Sequence, residues 1–148
     1  MLGNQTIVLL VEHRDEVFAR LASDIAATGV MVERARNGSD ALRRHAPGVI
    51  DLLIINADLP DISGWLLSSK VRMTDPEVSI WIYSPRPTDD DVSMANFVLA
   101  DELIEYDGDL WRLSSEVGDR LGMPRLASGG SAGLTAGNFA GIHALAAV

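Results

Sequence analysis

The segment Asp51-Leu52-Leu53-Ile54-Ile55-Asn56-Ala57-Asp58-Leu59-Pro60-Asp61-Ile62-Ser63-Gly64 contains two kinds of pattern. Leu52 to Ile55 is an unbroken apolar run, expected of a strand covered on both faces in a parallel sheet. Ser63 to Met73, carrying Trp65, Leu66 and Val71, reads as a helix. The same alternation extends in both directions. Upstream, Ile7 to Val11 is a second buried strand, and a helix follows from about Asp15, with Phe18, Leu21, Ala22 and Ile25 at helical spacing. Gly29 stops that helix. Val30 to Ala35 is a more polar strand at a sheet edge, Asn37-Gly38 a turn, and Ser39 the N-cap of a short helix with Ala41 and Leu42. Downstream come a strand at Ser79 to Tyr83, a helix at Asp89 to about Phe97 and a strand at Leu103-Ile104. An amphipathic helix marked by Leu110, Trp111, Leu113, Val117 and Leu121 closes the pattern.

Five strands alternating with five helices predict an α/β, doubly wound parallel sheet. The functional crevice of such a sheet lies at the carboxyl ends of its strands. The residues to weigh are therefore Glu12-His13, Asn56 to Asp61, Ser84-Pro85 and Glu105 to Asp107.

Composition narrows the function. The chain has 148 residues, 47% hydrophobic and 22% charged, which suits one folded domain and excludes a disordered chain. Its net charge of −9 argues against nucleic acid and against anionic membranes as partners. There is no cysteine, so thiol chemistry and disulfides are excluded. The first apolar run is too short for a signal peptide or a membrane span, so a cytoplasmic location is expected. Composition changes near residue 122. Residues 5–122 form the expected domain, and 123–148 a Gly- and Ala-rich tail, either flexible or a short docking helix with Phe139, Ile142 and Leu145 on one face.

The residues carry a resemblance. Asp51 to Gly64, with its Leu-Pro-Asp-x-x-Gly element, resembles the phosphoacceptor strand and loop of two-component receiver domains. Gly29 to Leu42 is similar to that family's second strand, turn and helix, Ile7 to Glu12 to its first strand, and Leu99 to Ile104 to its fifth. The resemblance implies a CheY-like, flavodoxin-like fold with strand order 2-1-3-4-5. It also implies a chemistry: two acids ending the first strand hold magnesium, and an aspartate ending the third takes a phosphoryl group. A hydroxyl ending the fourth strand and a lysine after the fifth support that group.

Carried over position by position, most of that chemistry is absent. Glu12 keeps the first acid and remains a candidate magnesium ligand, but His13 replaces the second. Asn56 stands at the acceptor, and a carboxamide forms no acyl phosphate. Ser84 keeps the hydroxyl position. Tyr106 replaces the lysine and Asp107 the proline after it, while Leu103 stands where many members carry an aromatic. The implied protein is a pseudo-receiver: a two-component signalling module, not an enzyme, with no cofactor beyond a weak magnesium option. It would act through a protein partner, a signalling kinase or an output protein. The implied surface runs from the fourth helix to the fifth, roughly Asp89 to Leu121. Trp111 and Arg112 are its interface residues, and the same face would serve a homodimer.

Other readings attach to single residues. Asp58, two places beyond Asn56, is an alternative phosphoacceptor, against a plainer role as a loop acid paired with His13 or Arg86. His13, Glu12 and Asp58 together would suit zinc or nickel, and His13 between acids would suit a proton switch. Asp89-Asp90-Asp91 fits the positive end of a helix dipole. His45 and His143 read as isolated, and Trp81 as core.

Overall fold

The computed structural model describes residues 5–85 and 87–122; the expectations placed on 123–148, His143 and Arg86 lie outside the described residues. Five strands, β1 (Ile7–Val11), β2 (Met31–Ala35), β3 (Leu52–Asn56), β4 (Ser79–Ser84) and β5 (Glu102–Glu105), form one parallel sheet. Its order is β2-β1-β3-β4-β5, the expected doubly wound arrangement. Helices α1 (Asp15–Ala26), α2 (Gly38–Arg44), α3 (Gly64–Thr74), α4 (Asp89–Phe97) and α5 (Leu110–Gly122) connect and follow the strands.

The period-2 alternation of strand side chains divides the core in two. Val8, Leu10, Leu52, Ile54, Trp81, Tyr83 and Ile104 face α1 and α5, which contribute Val17, Leu21, Leu113 and Val117. Leu9, Val11, Leu53, Ile55, Ile80 and Ile82 face α2, α3 and α4, meeting Ala41, Leu67, Val71 and Val92. That double covering is why β1 and β3 read as continuous apolar runs. Trp81 is buried, as expected of its strand.

Several expectations at element ends are corrected. Asn37 rather than Ser39 caps α2, because its side-chain oxygen accepts the Asp40 N–H at 2.8 Å. On α1 it is Val17 that is buried, whereas Phe18 is only partly covered and carries the Arg34 guanidinium 4.4 Å above its ring. α1 ends at Ala26, so Gly29, at φ +96°, turns the chain into β2 rather than capping the helix directly. His45 is not isolated: its Nε2 lies 2.9 Å from Asp75 Oδ2, and the buried pair joins the C-terminal ends of α2 and α3. The three acids opening α4 sit at its positive end, and Thr88 and Asp91 add a reciprocal capping box. No helix among the described residues is long and apolar enough to cross a membrane.

Candidate functional site

Sheet register builds the site. β1 and β3 pair Val11 with Ile55, so the next residues, Glu12 and Asn56, emerge side by side. β3 and β4 pair Asn56 with Tyr83. Alternation from residues 10, 54, 81 and 104 places Glu12, Asn56, Tyr83 and Tyr106 on the side of the sheet that faces α1 and α5. The four chains converge above the core on that side.

Glu12 is the centre, with none of its surface exposed. Its Oε1 accepts hydrogen bonds from Asn56 Nδ2 at 2.9 Å and from the Tyr83 hydroxyl at 2.6 Å. Its Oε2 accepts the Arg14 backbone N–H at 2.7 Å and Arg14 Nε at 3.3 Å, while Arg14 Nη2 reaches Oε1 at 3.4 Å. Arg14 precedes the first turn of α1, so the carboxylate also sits at that helix's positive end. Burial pushes the Glu12 carboxyl up, but the Tyr83 hydroxyl and Arg14 outweigh it and hold it below the usual glutamate range. Burial and the Glu12 charge push the Tyr83 phenol far up, so it stays a donor. Burial lowers the Arg14 guanidinium, and the carboxylate more than offsets this.

Asn56 is fixed at both ends of its carboxamide. Nδ2 donates to Glu12, and Oδ1 accepts the Asp58 N–H at 2.9 Å. Only this orientation satisfies both partners, because a carboxylate cannot donate and a backbone N–H cannot accept. The loop that follows is pinned by Asp61, whose carboxylate accepts from the N–H groups of Gly38, Ser39 and Ile62 at 2.8, 2.9 and 2.8 Å. Despite partial desolvation, those bonds drive the Asp61 carboxyl far below its usual range. Gly64 lets α3 start against β3: a Cβ there would lie 2.6 Å from the Asn56 carbonyl oxygen.

Arg14 and Tyr83 carry no mark in the sequence pattern, and Arg14 also lies over the Tyr106 ring, 5.5 Å from its centroid. Tyr106 meets Tyr83 edge to face at 6.0 Å. A cleft of about 270 Å³ opens outside this cluster, lined by His13, Arg14, Asn56, Asp58, Pro85, Tyr106, Asp107 and Gly108.

Of the expected site residues, Glu12 and Asn56 are in direct contact, and His13, Asp58 and Tyr106 share the cleft. Ser84 is buried one step beyond Tyr83 and pairs in register with Glu105, so Tyr83 and not Ser84 stands beside Asn56. His13 Nδ1 is 3.5 Å from Glu12 Oε2 without a hydrogen bond. Arg112, expected as an interface residue, is surrounded by Glu105, Asp107 and Glu116 at 3.9, 3.7 and 3.4 Å, whereas Trp111 is 66% exposed.

A receiver-type magnesium ion does not fit these residues. Both Glu12 oxygens are taken by donors, one of them a full positive charge, and Asn56 turns its N–H toward the carboxylate. Among the described residues, no group of three or more His, Cys, Asp and Glu side chains is placed to hold a metal.

Comparison with known proteins supplies the family. The profile of the response regulator receiver domain matches residues 8–113. The transcriptional regulatory protein PrrA of Mycobacterium tuberculosis is 27% identical over 84 residues, 57% of this chain and 36% of that protein. The chain thus spans about a third of the length of the curated relatives it matches. Among solved structures, the non-phosphorylated HemR receiver domain of Leptospira biflexa superposes with a TM-score of 0.71 at 20% identity, covering 79% of this chain and 94% of that one. A CheY-like receiver domain protein from Methanospirillum hungatei gives 0.69 at 17% identity, covering 80% and 94%. These likenesses support the fold, and the matched profile assigns the chain to the response regulator receiver domain family.

Proposed function

We propose that this receiver domain is a pseudo-receiver: it takes no phosphoryl group at the usual position, catalyses nothing, and signals by binding a protein. The observation that carries the reading is Asn56. It ends β3 where the acceptor carboxylate is needed, and both ends of its amide are already engaged by Glu12 and Asp58. A carboxamide is no nucleophile for phosphoryl transfer, and the Arg14 guanidinium is committed to Glu12.

The binding surface is the side formed by α4, β5 and α5, facing a signalling kinase or an output protein in the cytoplasm. Phe97 at 76% and Trp111 at 66% exposure give it two large apolar anchors. A second reading keeps Asp58 as the acceptor, since it lies in the cleft with an exposed side chain.

Acetyl phosphate with magnesium, followed by intact-mass spectrometry of wild type and Asp58→Ala, separates the two. The pseudo-receiver reading expects no added phosphoryl mass in either protein. An adduct on wild type that Asp58→Ala abolishes would establish the second reading instead.

A further inference from the structure

We propose that Arg14 is a built-in counter-cation: its guanidinium holds Glu12 in place of a divalent metal ion and masks a cation site that its removal would open. The inference rests on the pseudo-receiver reading and deepens it by naming what occupies the site.

A carboxylate with no exposed surface needs a compensating charge and a full set of donors. Here both come from within the chain. Arg14 reaches both carboxylate oxygens from its backbone and its side chain, at 2.7, 3.3 and 3.4 Å. Asn56 and Tyr83 complete the set with neutral donors. The charge at the end of β1 is therefore balanced, and position 56 places no second carboxylate against it, because it carries an amide.

The geometry also says where a metal would go. Arg14 lines the cleft while Glu12 lies behind it, so the guanidinium stands between the carboxylate and solvent. The Tyr106 ring lies against it on the cleft side. Without that guanidinium, Glu12 would face a cleft that already presents the Asp58 carboxylate oxygens. Those are hard oxygen donors, and a cleft of about 270 Å³ leaves room for the waters that magnesium and manganese retain.

The test uses the full chain as wild type, Arg14→Lys, Arg14→Gln and the double variant Glu12→Gln/Arg14→Gln. Each is melted in EDTA, in MgCl2 and in MnCl2. Wild type and Arg14→Lys are expected to move by less than about 1 °C with either metal. Arg14→Gln is expected to melt lower in EDTA and to regain about 4 °C or more near metal saturation, the scale set by ligand linkage in a domain of this size. The double variant should lose that response. Metal stabilisation of wild type, a folded Arg14→Gln that ignores both metals, or a double variant that responds as strongly as Arg14→Gln would each overturn the proposal. If Arg14→Gln is unfolded in EDTA, circular dichroism during MnCl2 addition decides: recovery of helix supports the proposal and its absence overturns it. A wild type that takes no phosphoryl group yet binds magnesium sinks this inference alone. Phosphoryl uptake without metal stabilisation sinks the pseudo-receiver reading alone.

Discussion

Glu12 illustrates how one buried charge is made tolerable. Removing the charge while keeping its shape, as in Glu12→Gln, leaves Arg14, Tyr83 and Asn56 donating toward a group that can no longer accept them all. Arg14 is half exposed and can be rehydrated, so the cost is that of unmet buried hydrogen bonds, about 1–3 kcal/mol at pH 7. The pH dependence has a definite sign. The Glu12 carboxyl is lowered in the folded protein, so its contribution is complete above the ordinary glutamate value and is lost as pH falls through the lowered one. The stability gap between wild type and Glu12→Gln should therefore be largest near neutrality and shrink on acidification, since a protonated Glu12 resembles a glutamine. Urea unfolding from pH 7 down to pH 3.5 measures it; a gap that stays constant would show that the charge is not what matters. Glu12 and Asn56 were legible in the sequence, because they follow directly on apolar strand runs. Tyr83 and Arg14 were not. Tyr83 was hidden because its role depends on which residue of β4 stands opposite Asn56, and an apolar strand run does not mark that register. Arg14 folds back across its own strand end, and no periodic pattern marks such a turn. The signal available was the need of a buried Glu12 for a nearby cation, which Arg14, two residues on, can supply.

At the scale of elements, the loop after β3 is organised by one side chain. Asp61 accepts three backbone N–H groups, two of them belonging to the first residues of α2. Asp61→Ala removes a helix-terminal acceptor and a loop anchor together, and a loss of about 2–3 kcal/mol is expected from values for caps and charged hydrogen bonds. Hydrogen exchange should localise the effect, with the Gly38 and Ser39 amides losing protection before those of β3. Equal loss throughout the sheet would mean that the loop is not held separately. The ten elements themselves were largely legible. Runs such as Leu52 to Ile55 announce burial on both faces, and the helices carry their periodicity. The ends were harder to read, since Asn37 and Ser39 are both acceptable caps in sequence and only the hydrogen bond to Asp40 distinguishes them.

For the whole molecule, exposed large apolar side chains occur on several elements, Met73 of α3 among them, and Phe97 and Trp111 are the most exposed of those that α4 and α5 present. Trp111 projects outward and contributes little to the core, so Trp111→Ala is expected to change stability by no more than about 0.5 kcal/mol. If the proposed surface is used, the same change should weaken binding to a partner isolated by pull-down by about tenfold or more, as for an aromatic anchor. Titration calorimetry with that partner measures the loss, and unaltered affinity would rule this side chain out of the interface. Arg112 is a poorer probe, because its neighbours Glu105, Asp107 and Glu116 would be left uncompensated in any charge variant.

The cluster around Glu12 has a further consequence, in time rather than in energy. Arg34 of β2 donates to the Glu12 carbonyl, Asn56 of β3 and Tyr83 of β4 donate to its carboxylate, and Tyr106 beyond β5 packs on both Tyr83 and Arg14. One residue of β1's end is thus the knot through which the ends of all five strands are tied. Such a knot loosens for every strand or for none, so the amides around it should open and reclose with a common rate, a slow collective breathing of one end of the sheet.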